Sequence, residues 1–154
     1  MNEILCSKIR EAFAGVKLGK GIGLHEADGQ DDYEDAATCA SYRASDEKDD
    51  WSRIPVEKLN KCFSSLSYFD PESMRFHLPA FLISDLQGTY NFDLSLCLTN
   101  PTDYDTGQFD LFSDTQRSAV RDYLLHIAED VNHQFDRPQI IRALDEYWTD
   151  PTSV

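Results

Sequence analysis

The sequence predicts a mainly α-helical protein, a single-domain bundle of about six helices with at most a short strand or hairpin near residues 90–98. Apolar residues recur every three or four positions along most of the 154-residue chain, which is the spacing of one helix face. Helix-starting side chains precede several of these runs, and strand-like alternation occurs in one short segment. We expect residues 1–150 to form this domain, an ordinary length for one domain, and residues 151–154 to fray.

Two helices are predicted in the N-terminal third of the chain. The first runs from Ile4 to Val16, and glycines at positions 19, 21 and 23 end it and form a loop. The second begins near Leu24 and continues to Ala44, with small residues on one face and carboxylates at 31–35 on another. These carboxylates are expected near the helix N-terminus, where the helix dipole favours negative charge.

The middle of the chain is predicted to supply a third helix and the central one. Ile54-Pro55 precedes an apolar helical face, and proline suits the first helical position. Asp70-Pro71-Glu72 places a capping Asp before Pro and Glu, so it predicts the start of a helix that runs to Leu86. This segment is apolar on nearly all sides, which predicts the most buried helix, and Pro79 is expected to kink or split it.

The C-terminal part is predicted to contain the short strand and two more helices. Residues 90–98 alternate between apolar and polar or small side chains, which favours a strand. Ser113 and Gln116 form a capping box before the clearest amphipathic pattern in the chain, which predicts a helix that buries residues as far as Phe135. Asp136-Arg137-Pro138 then predicts the start of the last helix.

Charge is the strongest compositional feature. The chain has 28 acidic and 14 basic residues, and its net charge is −14. The excess lies in residues 21–50 and 91–154, which sum to −8 each, while residues 51–90 are neutral. Such a field repels nucleic acid and anionic membranes and attracts basic partners and cations, so we predict no nucleic-acid and no membrane partner. Plain solubility is the alternative explanation of the charge.

The cysteines and the N-terminal segment indicate the compartment. Cys6, Cys39, Cys62 and Cys97 are far apart and form no CxxC pair, which argues against a zinc site and fits reduced, buried thiols. The N-terminal residues lack the basic start and long apolar run of a signal peptide, and no stretch reaches membrane-spanning length. We therefore expect a cytoplasmic protein, and we predict no cofactor.

Two segments near residue 25 invite a binding-site interpretation. The glycines at 19, 21 and 23 match neither the Walker loop nor the dinucleotide fingerprint, so a flexible loop is favoured. His25 and Glu26, with the carboxylates that follow, could gather around a divalent cation. However, the spacing is not that of an EF-hand, and Asp31 and Asp32 diverge on a helix. A solvated acidic face is favoured, and we assign no metal ligand.

His77 is the histidine with the most apolar surroundings in the sequence. A buried neutral imidazole with a hydrogen bond is the simplest interpretation, although acid–base chemistry beside Arg75 is the alternative. His126 and His133 do not have the spacing of a helical ligand pair. The chain contains no HExxH, GxSxG or SxxK motif, and we assign no catalytic residue.

Three stretches of the chain have a distinctive sequence: residues 21–27, residues 49–55 and residues 67–82, with Asp31-Asp32-Tyr33 between the first two. Together they resemble an uncharacterised bacterial family, a domain of unknown function. The resemblance covers roughly residues 15–135, and FDPESMRFHLPAFL is its most specific part. It implies a single helical domain in a bacterial cytosolic protein and offers no activity, cofactor or catalytic residue. The resemblance also suggests the company of small bacterial accessory proteins, some of which neutralise toxins.

Our leading hypothesis is an acidic protein-binding module, specifically an immunity-type inhibitor that blocks the active surface of a basic bacterial toxin. An acidic helical surface mimics phosphate and accelerates association with a basic partner. Tyr33 or Trp51 is expected to be an exposed anchor within it. The predicted contact residues are Asp31, Asp32, Tyr33, Glu34, Asp35, Asp46, Glu47, Asp49, Asp50 and Trp51.

Two alternatives remain open at this point. One is a metal-assisted or acid–base enzyme that uses His25, Glu26, Asp31 and Asp32 with His77. The other is a helical accessory protein whose acidity serves only solvation. The sequence does not fix the oligomeric state.

Overall fold

A computed structural model describes residues 2–100 and 107–150, and it confirms the mainly α prediction. Within these ranges the chain forms eight α-helices, three 3₁₀ turns and no strand. The α-helices are α1 Glu3–Ala12, α2 Leu24–Asp31, α3 Ala36–Ser45, α4 Val56–Lys61, α5 Pro71–Leu86, α6 Ser95–Thr99, α7 Asp114–Ala128 and α8 Arg137–Glu146. The 3₁₀ turns are Trp51–Arg53, Phe63–Tyr68 and Val131–His133. The predicted tail at 151–154 lies outside the described residues.

Helix α5 is the centre of the fold, as its all-round apolar sequence predicts. Twelve of its 16 residues are buried, and Asp70 caps its first turn by accepting a hydrogen bond from the Ser73 amide at 2.8 Å. The helix is not split at Pro79, which lies inside it. Helices α1 and α4 and the Trp51–Arg53 turn pack directly against it.

The C-terminal helices close the other side of this core. Helix α7 packs against α1 and α8, and the predicted capping box between Ser113 and Gln116 is present at its start. Trp148 is completely buried, and its indole donates to the Leu98 carbonyl at 2.9 Å, which ties the end of the chain to α6. The buried apolar side chains of all these helices form one continuous cluster.

The predicted helix from Leu24 to Ala44 is in fact two helices that pack against each other. Helix α2 ends at Asp31, and Tyr33 adopts a φ of 58°, in the left-handed region, so the chain reverses before Asp35 caps α3. The expectation that the 31–35 carboxylates lie at one helix N-terminus is therefore wrong for Asp31, which is the last residue of α2, and for Asp32, which is its C-cap.

Two predictions for the C-terminal half are also wrong. The segment near 90–98 contains α6 in place of a strand, because Asp93 accepts hydrogen bonds from the Ser95 amide and hydroxyl and starts a helical turn. The long amphipathic helix stops at Ala128, so Val131 and Phe135 are exposed where burial is predicted. None of the described helices combines the length and the apolar character that crossing a membrane requires.

Candidate functional site

The predicted contact residues lie in two groups at opposite ends of the α2–α3 pair. We call residues 31–35, at the turn between the two helices, the acidic corner. The second group, residues 46–51, follows the end of α3 and contacts the start of α2. Helix α2 has eight residues, so about 12 Å of helix separates the groups. The structure therefore does not bring the ten predicted residues into one compact cluster.

The acidic corner is built around an exposed tyrosine. The Tyr33 side chain is 93% exposed although its backbone has a left-handed φ, a conformation that few bulky residues adopt. Amide hydrogen bonds fix the turn, from Tyr33 to the Gln30 carbonyl at 3.1 Å and from Glu34 to the Gly29 carbonyl at 2.9 Å. The aromatic ring is thus presented to solvent by an ordered backbone.

Carboxylates surround this tyrosine. Asp32 and Glu34 are exposed, and Asp35 is exposed while it caps α3 through the Thr38 amide at 2.7 Å, which lowers the pKa of Asp35. The hydrogen bond between Asp31 and the Tyr68 hydroxyl raises the pKa of Tyr68. Within the described ranges, no ion pair involves a carboxylate of the corner. The corner therefore presents negative charge that no basic side chain of those ranges neutralises.

Asp46 does not belong to an exposed contact surface, contrary to the prediction. Its side chain is buried, and its two carboxylate oxygens accept hydrogen bonds from the amides of His25 at 3.0 Å and Glu26 at 3.1 Å. These amides lie in the first turn of α2, whose N-cap residue is Gly23 and has no side chain to offer. A Cβ atom at position 23 would lie 2.1 Å from Asp46 Oδ2, so glycine leaves room for the remote cap.

Most other side chains of the 46–51 group form hydrogen bonds with backbone groups of the chain. Trp51 is buried, and its indole donates to the Phe13 carbonyl at 2.9 Å, so its predicted role as an exposed anchor is wrong. Glu47 accepts from two following amides, of which the Asp49 amide has the larger effect in lowering the pKa of Glu47. Asp50 caps the Trp51–Arg53 turn and lies 3.5 Å from Arg53. Asp49 is the one exposed residue of this group.

The glycine loop before α2 has a structural role. The Lys20 amide donates to Glu72 at 3.0 Å, and the Ser73 hydroxyl donates to the Ile22 carbonyl at 2.5 Å. A Cβ atom at Gly21 would lie 2.8 Å from the Ser73 amide nitrogen, so only glycine fits this close approach. The loop is fastened to the N-terminus of α5, which accounts for its glycines without a phosphate ligand.

The residues of the enzyme alternative lie apart from one another. His25 stacks on Tyr42 with ring centroids 3.7 Å apart, and Glu26 accepts from the Gly23 amide, both at the start of α2. Asp31 ends the same helix. His77 is completely buried in α5, where burial lowers its pKa to about 4 and its Nδ1 lies 2.8 Å from the Ser73 carbonyl oxygen. His77 thus matches the simpler interpretation, a neutral core histidine.

A different cluster of candidate ligands is not predicted from the sequence. One nitrogen of His133 and one carboxylate oxygen each from Asp93 and Asp136 lie within 4.8 Å of one another. Among the residues that the structure describes, this is the one His, Cys, Asp and Glu group with such spacing. The three-residue interval between His133 and Asp136 is a weak sequence signal, and Asp93 joins them only through the fold.

The comparisons with known proteins give one match. The model of a family described as "Family of unknown function (DUF6714)" matches residues 1–152. No curated protein and no solved structure matches the chain.

Proposed function

The chain belongs to this family of unknown function, and on that premise we propose that it is an acidic protein-binding module whose acidic corner contacts a basic protein partner. The observation that carries the proposal is Tyr33, an aromatic side chain that is 93% exposed on a left-handed backbone between carboxylates. An exposed tyrosine in that conformation contributes little to the core. Strained residues of this kind are found preferentially at functional sites.

The corner combines the two properties that a contact surface for a basic partner needs. Tyrosine supplies a large, rigid contact area and is frequent among the residues that dominate binding energy. The segment from Glu26 to Asp35 contains six acidic residues and no basic residue, so its field attracts a basic surface and accelerates encounter. Tyr68, which is 38% exposed and hydrogen-bonded to Asp31, extends the aromatic part of the surface.

Two of the ten predicted contact residues are left out of the proposed contact surface. Asp46 and Trp51 are buried and serve the fold, so we omit both from the proposed contact. Glu47, Asp49 and Asp50 lie at the other end of the α2–α3 pair, where a partner larger than about 12 Å could reach them as well. We therefore assign the central contact to Asp31, Asp32, Tyr33, Glu34 and Asp35.

In its more specific form, the proposal is an immunity-type inhibitor in the bacterial cytoplasm that covers the active surface of a basic toxin. The support is the charge: a nuclease-like toxin binds phosphate through basic side chains, and a row of carboxylates offers them the same sign of charge. The net charge of −14 favours rapid capture of such a partner.

Affinity capture from an extract of the native host tests the proposal. The bait is the full chain, compared with an Asp32→Lys/Glu34→Lys variant, since neither of these exposed side chains makes a hydrogen bond that the fold needs. A Glu129→Lys/Asp145→Lys variant is the matched control, because it makes the same charge change at two exposed positions, one directly after α7 and one in α8.

We expect wild type and the control to retain a basic protein, and the Asp32→Lys/Glu34→Lys variant to lose it. Rising salt concentration should release this protein from the wild-type bait. Equal retention by all three baits would contradict the assignment of the corner. Retention of no basic protein by any bait would leave solvation as the explanation of the acidity.

A further inference from the structure

We propose that Asp93, His133 and Asp136 form a binding site for a divalent transition-metal ion of the Zn²⁺ type. This site is independent of the acidic corner and lies on other elements. Asp93 precedes α6, His133 ends the Val131–His133 turn, and Asp136 precedes α8. The fold therefore joins one ligand from an earlier segment to two from a single turn.

The distances suit a small metal ion. His133 Nδ1 lies 3.6 Å from Asp136 Oδ2, and one ligand atom from each of the three residues falls within 4.8 Å of the others. Zinc binds histidine nitrogen and carboxylate oxygen at about 2.0–2.2 Å, so two ligands in a tetrahedral site are roughly 3.4 Å apart. The His133–Asp136 pair already has nearly this separation, and the Asp93 oxygen needs to approach the other two ligand atoms by at most about 1.4 Å.

An unsatisfied nitrogen lies beside one carboxylate of this cluster. His133 Nδ1 is completely buried and makes no hydrogen bond, although the imidazole as a whole is 18% exposed. A buried polar atom without a partner is unfavourable, and it occurs here beside a carboxylate that is too distant for a hydrogen bond. A metal ion would satisfy both groups, because neutral imidazole and carboxylate are both ligands that donate an electron pair.

The backbone holds the ligands in place, and the surrounding charge favours a cation. Asp93 uses Oδ1 to accept from the Ser95 amide at 2.9 Å and hydroxyl at 2.7 Å, so the orientation of its carboxylate is fixed. The His133 amide donates to the Asp130 carbonyl at 2.9 Å. Asp85 has Asp93, Asp130 and His133 as its charged neighbours, so carboxylates predominate around the imidazole. Asp93 is exposed, which gives an ion access from solvent.

The ligand set also selects among metals. A nitrogen ligand favours zinc and neighbouring transition metals, whereas Mg²⁺ prefers an octahedron of oxygen ligands. Three protein ligands leave a coordination position for water, so the site resembles an open zinc site in the number of its ligands. We therefore expect tight binding of Zn²⁺ and Co²⁺ and much weaker binding of Mg²⁺.

Calorimetric titration of the full, tag-free chain with ZnCl₂ at neutral pH tests the proposal. The ligand variants are His133→Ala, Asp93→Asn and Asp136→Asn, of which Asp93→Asn retains an oxygen that can accept from the Ser95 amide. His126→Ala is the matched control, because His126 is an exposed histidine in the last turn of α7 and outside the cluster. Circular dichroism melting curves verify that each variant is folded.

We expect one Zn²⁺ per chain. Each ligand variant should bind Zn²⁺ at least about tenfold more weakly, since even residues that only support a ligand change the affinity by about 10–100-fold. His126→Ala should bind Zn²⁺ like wild type. Absence of one-to-one binding, or equal weakening by His126→Ala and His133→Ala, would overturn the site. Co²⁺ provides a second readout: a thiolate charge-transfer band would place the metal on a cysteine and would also refute the assignment.

Discussion

Replacement of Asp46 by alanine should strongly destabilise the protein, because Asp46 caps a helix that has no cap of its own. Its buried carboxylate accepts from the His25 and Glu26 amides at 3.0 and 3.1 Å. A lost helix cap costs about 0.5–2 kcal/mol, and burial of the two unsatisfied amides adds to this. The Lys58 ammonium lies 3.9 Å from Asp46 Oδ1, and the Lys58 side chain is one-third exposed. Loss of this ion pair therefore adds less than about 1 kcal/mol to the destabilisation. We expect Asp46→Ala to lower the free energy of unfolding by about 3 kcal/mol.

Urea unfolding followed by the fluorescence of the two buried tryptophans, Trp51 and Trp148, measures this effect. Asp49→Ala is the matched control, since Asp49 is an exposed carboxylate three residues away, and we expect a change within about 0.5 kcal/mol. The remote-cap explanation would be refuted if Asp46→Ala changed the free energy of unfolding by no more than about 0.5 kcal/mol, or if both variants lowered it equally.

Gly23→Ser sharpens the same test, because its effect should change sign with residue 46. In the wild-type chain the new Cβ would meet Asp46 Oδ2 at 2.1 Å, so the substitution should destabilise. In the Asp46→Ala chain the contacts with the carboxylate are gone and only the Cβ of residue 46, at 3.0 Å, remains close, so a serine at the N-cap can accept from the first turn of α2, which restores about 1 kcal/mol. The same sign in both backgrounds would contradict the geometry.

Two further predictions concern the corner and the buried histidine. Tyr33→Gly should keep or raise the free energy of unfolding by up to about 1 kcal/mol, because glycine adopts a φ of 58° without strain; a clear loss in urea unfolding would mean that the tyrosine stabilises the fold. Burial holds the pKa of His77 at about 4, whereas histidine in the unfolded chain has a pKa of about 6.5. As the pH falls, the unfolded chain therefore binds a proton before the folded chain does. The free energy of unfolding should fall by up to about 3 kcal/mol between pH 6.5 and pH 4. In His77→Gln this dependence on pH should be lost. The prediction would be contradicted if the difference between the urea midpoints at neutral and acidic pH were the same in His77→Gln as in wild type.

The sequence predicts those elements whose start and burial are encoded locally. Helix α5 follows an Asp-Pro-Glu start and is apolar all round, and α7 follows a capping box, so both helices start where they are predicted. The break at Tyr33 is not predictable in this way, since tyrosine rarely adopts a left-handed φ and the flanking residues have helical spacing. Residues 90–98 are too short a run for alternation to separate strand from helix.

The candidate sites depend on contacts between distant residues, which explains what the sequence misses. Asp46 stands in an acidic run that is typical of a surface, yet it is buried because α2 begins with Gly23 and needs an acceptor. Trp51 is buried because its indole finds the Phe13 carbonyl, 38 residues earlier. The cluster of Asp93 and His133 likewise exists only in the folded chain. By contrast, the exposure of residues 32–35 is predicted correctly from their composition.

The most direct test of the central proposal is the dissociation constant of the captured basic partner with wild type, Tyr33→Gly and Phe135→Ala. Phe135 is an 87% exposed aromatic residue outside the corner, so its removal controls for the loss of an exposed ring. Loss of an aromatic residue at the centre of an interface costs about 2 kcal/mol or more, so Tyr33→Gly should weaken binding by at least about thirtyfold. Phe135→Ala should bind like wild type. Wild-type affinity for Tyr33→Gly would contradict the claim that the acidic corner is the contact surface.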